Sequence, residues 1–255
     1  MEVCPDEWFL YKARSLWYKS IAVVAKFVNA DPRNIVFVTN ATTGVNRNLH
    51  KWLFCPKSAA ILWVHPKYQD VINPLVVSWD QDGDFHDKFF QQGTMDHTPC
   101  LVVDAALRFY QELGGMEAIN GYNKPLLSWA SLMLATEWKT EVLPLPESMR
   151  APFMTCIRLP SEFQSFYGTS HSSEELLRKD IFQCYKVVTA IVCIQSSLWC
   201  RISANVYNTK DDYVRLANAV YKMKLDLISG SFKPAISVIT DSLGPSPAQS
   251  LNALT

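Results

Sequence analysis

The sequence predicts an α/β fold over its first half and a smaller α+β domain over its second. Three observations carry this. Between residues 7 and 79, apolar positions at helical spacing give way to short, continuous β-branched runs. "LPLPESMRAP" (Leu143 to Pro152) then breaks the pattern with three prolines in ten residues. After it, strands alternate with helices that carry their own caps.

Taken in order, Phe9, Ala13, Leu16, Trp17, Ile21, Val24 and Val28 lie on one face of a helix over Glu7 to Val28. Pro32 stops it by disfavouring helical geometry at Asp31. "IVFVT" (Ile35 to Thr39) suits a strand covered on both faces, and "AILWV" (Ala60 to Val64) and "LVVSW" (Leu75 to Trp79) are two further strand candidates. A polar loop follows. Thr98 is placed to cap a helix from Pro99 to the glycine stop at Gly114-Gly115, and a second long helix is expected over about Met116 to Thr140. "FMTCIRL", "VVTAIVCI" and "LWCRISA" read as strands. Ser172 and Glu175 form an expected capping box for one helix, and Thr209 caps another. The tail 236–255 reads as disordered. The expected domains are 1–115, a connecting helix and linker over 116–146, and a small domain over 147–235.

Composition narrows the function. The 255 residues hold 24 basic and 24 acidic side chains, so no basic surface for nucleic acid or anionic membrane is expected. The longest near-continuous apolar run, Val187 to Ile194, falls well short of the ~20 residues of a membrane span. The acidic N-terminus is unlike a signal peptide. Seven cysteines without CxxC spacing read as reduced thiols of a cytoplasmic protein.

Two neighbouring motifs bear chemistry. "NATTGVN" (Asn40 to Asn46), after a strand, has the amides and hydroxyls of a phosphate-binding turn, and reads equally as an ordinary strand-to-helix turn. In "LHKWLF", Lys51 lies between His50 and Trp52. It reads as a surface lysine at a strand entrance, or as a lysine held for imine chemistry. "DQDGDFHDKFFQ" imitates a calcium loop but has Phe85 and Gln91 where glycine and glutamate are required. GxGxxG, GxxxxGK[ST] and GxSxG are all absent.

The ordered set "FVNADPRNIVFVTNATTGVN", "LHKWLFCPKSAAILWV", "QQGTMDHTPCLVVDAALRFYQELGG", "APFMTCIRLP" and "WCRISANVYNTKDDYVRLANAV" resembles the class V aminotransferase fold, in its isopenicillin N epimerase-like branch. The resemblance covers about residues 2–230. It implies an incomplete large domain of the pyridoxal-phosphate-dependent transferase fold (fold type I) with a small C-terminal α+β domain. It also implies an amino-acid substrate and a homodimer. Lys51 matches the lysine that bonds covalently to pyridoxal 5'-phosphate, with His50 before it. Thr42, Thr43 and Gly44 match the phosphate cup. Gly93 and Thr94 match the element that reaches the phosphate from the neighbouring subunit. Arg201 matches the arginine that holds the substrate carboxylate; read without the family it is a structural arginine.

In the family most of the large domain separates the threonine turn from the lysine. Here only Val45, Asn46, Arg47, Asn48 and Leu49 lie between Gly44 and His50. A parallel crossover needs a dozen or more residues. The expectation is therefore an internal deletion near Asn46–Arg47, from a truncated isoform or a gene-model fault, together with an N-terminal shortening. The lost stretch would hold the aspartate that pairs with the pyridine nitrogen, and Asp104 lies too late in the chain to replace it. Weak or absent cofactor binding follows. Two readings stand: an impaired pyridoxal-phosphate enzyme (epimerase, C–S lyase or aminotransferase), or a non-catalytic product keeping the small domain and the subunit interface.

Overall fold

The structure is a computed structural model that describes residues 7–39, 47–77, 80–90, 92–93 and 95–234. The chain divides into two compact units, Met1–Gly115 and Met116–Thr255.

In the first unit a π-helical turn, Trp8–Lys12, runs into α1 (Ala13–Phe27), which buries Ala13, Trp17, Ile21 and Val24 along one face. The Asp31 carboxylate accepts the Arg33 N–H at 2.9 Å and fixes the 3-10 turn that delivers β1 (Ile35–Val38). β2 (Arg47–Asn48) and a one-turn helix α2 (Leu49–Trp52) precede β3 (Ala60–Trp63). β3 is central. It pairs antiparallel with β1 from Ile35 opposite Trp63 to Val38 opposite Ala60, and with β2 only at Ala60 and Ile61.

The expected third strand is corrected. Leu75 and Val76 form a bend, and Leu75, Val76 and Val77 are 91%, 64% and 70% exposed; Ser78 and Trp79 lie outside the described residues. An apolar run becomes a strand only where a ladder accepts it, and Pro74 at its entrance has no N–H to contribute.

α3 (Phe85–Phe90), α4 (Thr98–Leu101) and α5 (Val103–Glu112) complete the unit. Thr98 opens α4 instead of capping it, and the Asp96 carboxylate accepts its N–H at 2.9 Å. The acidic loop is tied to α1: Arg14 pairs with Asp80 at 3.0 Å and with Asp87 at 2.8 Å.

The second unit opens with α6 (Gly115–Trp138) and continues through β4 (Met154–Arg158), α7 (Ser161–Tyr167), α8 (His171–Tyr185), β5 (Ala190–Ile194), β6 (Ser197–Ser203) and α9 (Lys210–Ile228). Its antiparallel sheet has the order β4-β6-β5. Leu198, Cys200 and Ile202 of β6 point into a core shared with Leu126, Leu134 and Trp138 of α6, Leu177 and Ile181 of α8, and Val220 and Met223 of α9. Of residues 116–146, read from sequence as a connecting helix and linker, Leu126, Leu127, Ala130, Leu134 and Trp138 belong to this core. Even the stretch before the prolines is paired, with the Leu143 N–H on the Cys156 carbonyl at 2.8 Å.

The cap of α8 is also corrected. Ser170, not Ser172, is the N-cap; it accepts the Ser173 N–H at 3.2 Å while Ser173 Oγ accepts the Ser170 N–H at 3.1 Å. Glu175 pairs with Lys179 instead. Thr209 caps α9 as expected, with Asp212 accepting its N–H at 2.9 Å. Among the described residues, no helix is long and apolar enough to cross a membrane. The tail 236–255 lies outside the described residues.

Candidate functional site

Lys51 owes its position to its neighbours. Leu49 and Leu53, both 0% exposed, anchor the two ends of the α2 turn in the core. Trp52 stacks on Phe27 of α1, ring centres 5.9 Å apart at 20°. His50 is held to one carbonyl twice, by its N–H at 3.3 Å and its Nδ1 at 3.1 Å to Ala59 O. Against a carbonyl oxygen, Nδ1 can only donate. With Leu49, His50, Trp52 and Leu53 fixed, Lys51 is the exposed member of a turn that ends at Trp52, ahead of the segment leading to β3 at Ala60.

The other expected contributors are dispersed. Thr42, Thr43, Gly44 and Thr94 lie outside the described residues. Gly93 is exposed at φ +114°, and a Cβ built there meets nothing within 4 Å. Asp104 is on α5, in an i,i+4 ion pair with Arg108.

The first unit also holds a cavity of about 250 Å3 lined by Trp17, Phe37, Thr39, Ser58, His97 and Cys100 among others, and Lys51 is not among its described lining residues. His97 stacks flat on Phe90 at 4.7 Å. Burial lowers the His97 pKa and pushes the Cys100 thiol up to about 12, so both are neutral near pH 7.

Arg201 belongs to the second unit, so the structure does not bring it together with Lys51 within one compact body. It stands in mid-sheet on β6, opposite Cys156 of β4 and Ala190 of β5, on the face away from the helices. The comparison with Arg158 is informative. Arg158 lies over the Trp199 ring at 4.9 Å and pairs with Glu141 at 2.9 Å, so its charge is engaged. Arg201 is exposed and, among the described residues, has no ion pair. It lines a notch of about 330 Å3 together with Asp212 of α9.

No family model matches the chain. The L-cysteine desulfhydrase of Arabidopsis thaliana is 31% identical over 216 residues, covering 74% of this chain and 44% of its own length. The isopenicillin N epimerase of Streptomyces clavuligerus is 26% identical over 197 residues, covering 71% and 46%. The apo cysteine desulfurase of Thermococcus onnurineus NA1 superposes with a TM-score of 0.57 at 10% identity, covering 84% of this chain and 85% of that one. The chain belongs to the class V aminotransferase fold. It spans about half the length of the two curated relatives, 44% and 46%, which fits an incomplete large domain.

Proposed function

We propose that the chain derives from a pyridoxal-phosphate-dependent enzyme acting on an amino acid, of C–S lyase, epimerase or aminotransferase type, and that its own activity is impaired. The observation that carries this is the α2 turn, in which buried Leu49 and Leu53 and the stacked Trp52 leave Lys51 presented at the surface. The names of the curated relatives, L-cysteine desulfhydrase and isopenicillin N epimerase, support the substrate class.

The described residues fit the cofactor in part. Lys51 fits the attachment point by its place on a fixed turn, but its exposure does not supply the desolvation that activates such an amine. Gly93, with open space around it, suits close approach of a phosphate, here proposed to come from a second subunit. Thr42, Thr43, Gly44 and Thr94 are the proposed remaining phosphate contacts. The ring nitrogen is the misfit, because Asp104 is spent on Arg108. When bound, pyridoxal phosphate supplies an electron sink for carbanion chemistry. Of the chain's own groups, the Lys51 amine is the one placed to carry a proton, and the Arg201 fork suits a carboxylate. The internal deletion near Asn46–Arg47 is the proposed cause of the missing partner. A second reading, a non-catalytic product, draws support from the independent core of the second unit.

Borohydride treatment in the presence of pyridoxal phosphate, followed by peptide mapping, tests the assignment. The label is expected on Lys51 and lost in Lys51→Ala, whose stability should stay within about 0.5 kcal/mol of the parent. A label elsewhere with Lys51 unmodified sinks it. Without a charge-assisted bond worth ~1.5–3 kcal/mol, the cofactor should bind about 10- to 150-fold more weakly than in full-length relatives. Affinity equal to theirs would show that another acid serves the ring.

A further inference from the structure

We infer that the solvent face of α9 is a docking site for an amphipathic helix of another protein, one whose apolar seam is flanked by carboxylates. A surface helix ordinarily carries one apolar stripe, turned to the core. α9 carries two. Tyr213, Leu216, Val220 and Met223 are buried on its inner side. On its outer side Val214, Tyr221, Leu225 and Ile228 are 40–62% exposed, with exposed Asn218 between the first two. These five positions lie alternately four and three residues apart, the spacing of a coiled-coil seam. From Val214 to Ile228 the stripe runs about 21 Å at 1.5 Å per residue, which seats about four turns of a second helix. Single exposed apolar residues are common on any surface, whereas a continuous apolar stripe marks a place of contact.

The stripe leads into a groove. At its C-terminal end Leu227 and Ile228 share a space of about 340 Å3 with Ser161, Glu162, Ser165 and Phe166 of α7. Phe166 is half exposed and is held edge-on by Phe232, ring centres 5.7 Å apart. One large apolar side chain of the partner fits there as an anchor, and such anchors carry most of the energy of a helix laid in a groove. Asn218, in mid-stripe, calls for a hydrogen-bonding side chain opposite it and so sets the register.

Charge selects the partner. Lys210, Arg215 and Lys222 border the stripe, and none of them has an ion pair among the described residues. Lys210 lies over Trp129 at 5.0 Å and Lys222 over Tyr185 at 5.9 Å, contacts that leave both charges open to a carboxylate. Other charges of α9 are engaged: Lys224 pairs with Glu162 at 3.1 Å, Asp226 accepts the Tyr185 hydroxyl at 2.9 Å, and Asp212 accepts the Thr209 N–H. Asp211 is the one bordering carboxylate left, so the border is net basic. In the heptad, Lys210 takes a g position and Arg215 and Lys222 take e positions. Pairing α9 with its own copy therefore sets Arg215 against Lys222 when antiparallel, and Lys210 against Arg215 when parallel. Glutamate or aspartate at the facing positions of a different helix turns both repulsions into attraction.

The probe is a fluorescently labelled peptide of about three heptads, with leucine at the a and d positions, one asparagine at a, and glutamate at e and g. Repulsion among its glutamates keeps it from pairing with itself near neutral pH. Anisotropy against the full chain should show saturable binding in the micromolar range that weakens as salt is raised. The same peptide with lysine for glutamate should bind at least about 10-fold more weakly. Leu225→Glu should lose binding by a similar factor, and the double variant Arg215→Glu, Lys222→Glu should reverse the preference in favour of the lysine peptide. All three positions are exposed, so the melting temperatures should match that of the parent. Equal binding of the two peptides, unchanged binding by Leu225→Glu, an unreversed preference, or no saturable binding would each overturn the inference. Three rival occupants have their own signatures, and each would overturn it too. Self-association abolished by Leu225→Glu points to a second copy. Peptide binding only after removal of residues 235–255 points to the chain's own tail. Binding to phosphatidylserine vesicles in place of the peptide points to a membrane surface.

Discussion

Single side chains carry much of the polar order of the second unit. Asp180 is 2% exposed on α8, and Tyr167 of α7 donates its hydroxyl to it at 2.6 Å. Tyr185 makes the corresponding bond to Asp226 of α9 at 2.9 Å. Both tyrosine pKa values are raised well above 10, by burial first and then by the hydrogen bond to the carboxylate, because ionisation would set two negative charges side by side. A folded-state pKa above the unfolded one means stability that is full below about pH 10 and falls as pH rises beyond it. Alkaline unfolding should therefore begin above that point and respond to these groups. Tyr167→Phe should cost about 1.5–3 kcal/mol at neutral pH, since it removes a hydrogen bond to a charged acceptor, and should flatten the alkaline loss. Urea denaturation across pH checks both. An unchanged neutral midpoint would show that the remaining interactions of Asp180 suffice.

At the scale of elements, burial and exposure make opposite forecasts for two apolar runs of similar composition. Ile35, Val36 and Phe37 of β1 are 0–3% exposed, whereas Val77 is 70% exposed. Ile35→Ala should cost about 2–5 kcal/mol, and Val77→Lys should stay within about 0.5 kcal/mol while improving solubility. Thermal or urea melts of the two variants decide whether 75–77 is a surface segment or part of a buried ladder. This contrast also marks what the sequence could reveal. Helix α1 was legible because its burial depends on local spacing alone. The fate of 75–77 was not, because strand formation depends on a distant partner with a free edge. The α8 cap was misassigned within "TSHSSEE", where several hydroxyls fit the pattern equally and only backbone geometry selects Ser170. Asp212 went unremarked because a helix cap and a charged wall of a notch leave the same mark on the sequence.

For the whole molecule, the distribution of core between the units decides how the chain comes apart. The second unit owns one continuous core from Leu126 on α6 to Met223 on α9. A cut at the proline-rich stretch would strip Leu126, Leu134 and Trp138, which are 7%, 0% and 3% exposed, and each such loss costs several kcal/mol. A cut at Gly114-Gly115, where the backbone turns at φ +89° and +67°, removes none of them. The first unit is less self-sufficient. Its β2 covers only two residues of β3, and Val71, Leu75, Val76 and Val77 are 64–91% exposed. An exposed Val or Leu forfeits ~1.5–3 kcal/mol, so a handful removes much of the ~5–15 kcal/mol by which a domain is stable. A half-paired β3 edge is also a template for other chains. Limited proteolysis should therefore degrade the first unit and leave a protected fragment that begins near Met116, not near Glu147. Mass spectrometry of the fragment locates its first residue, and hydrogen exchange should show protection concentrated in residues 119–223. A single cooperative, monomeric melt with uniform protection over both units would mean that the first unit is complete as it stands, and the internal-deletion proposal for residues 40–64 would have to be abandoned.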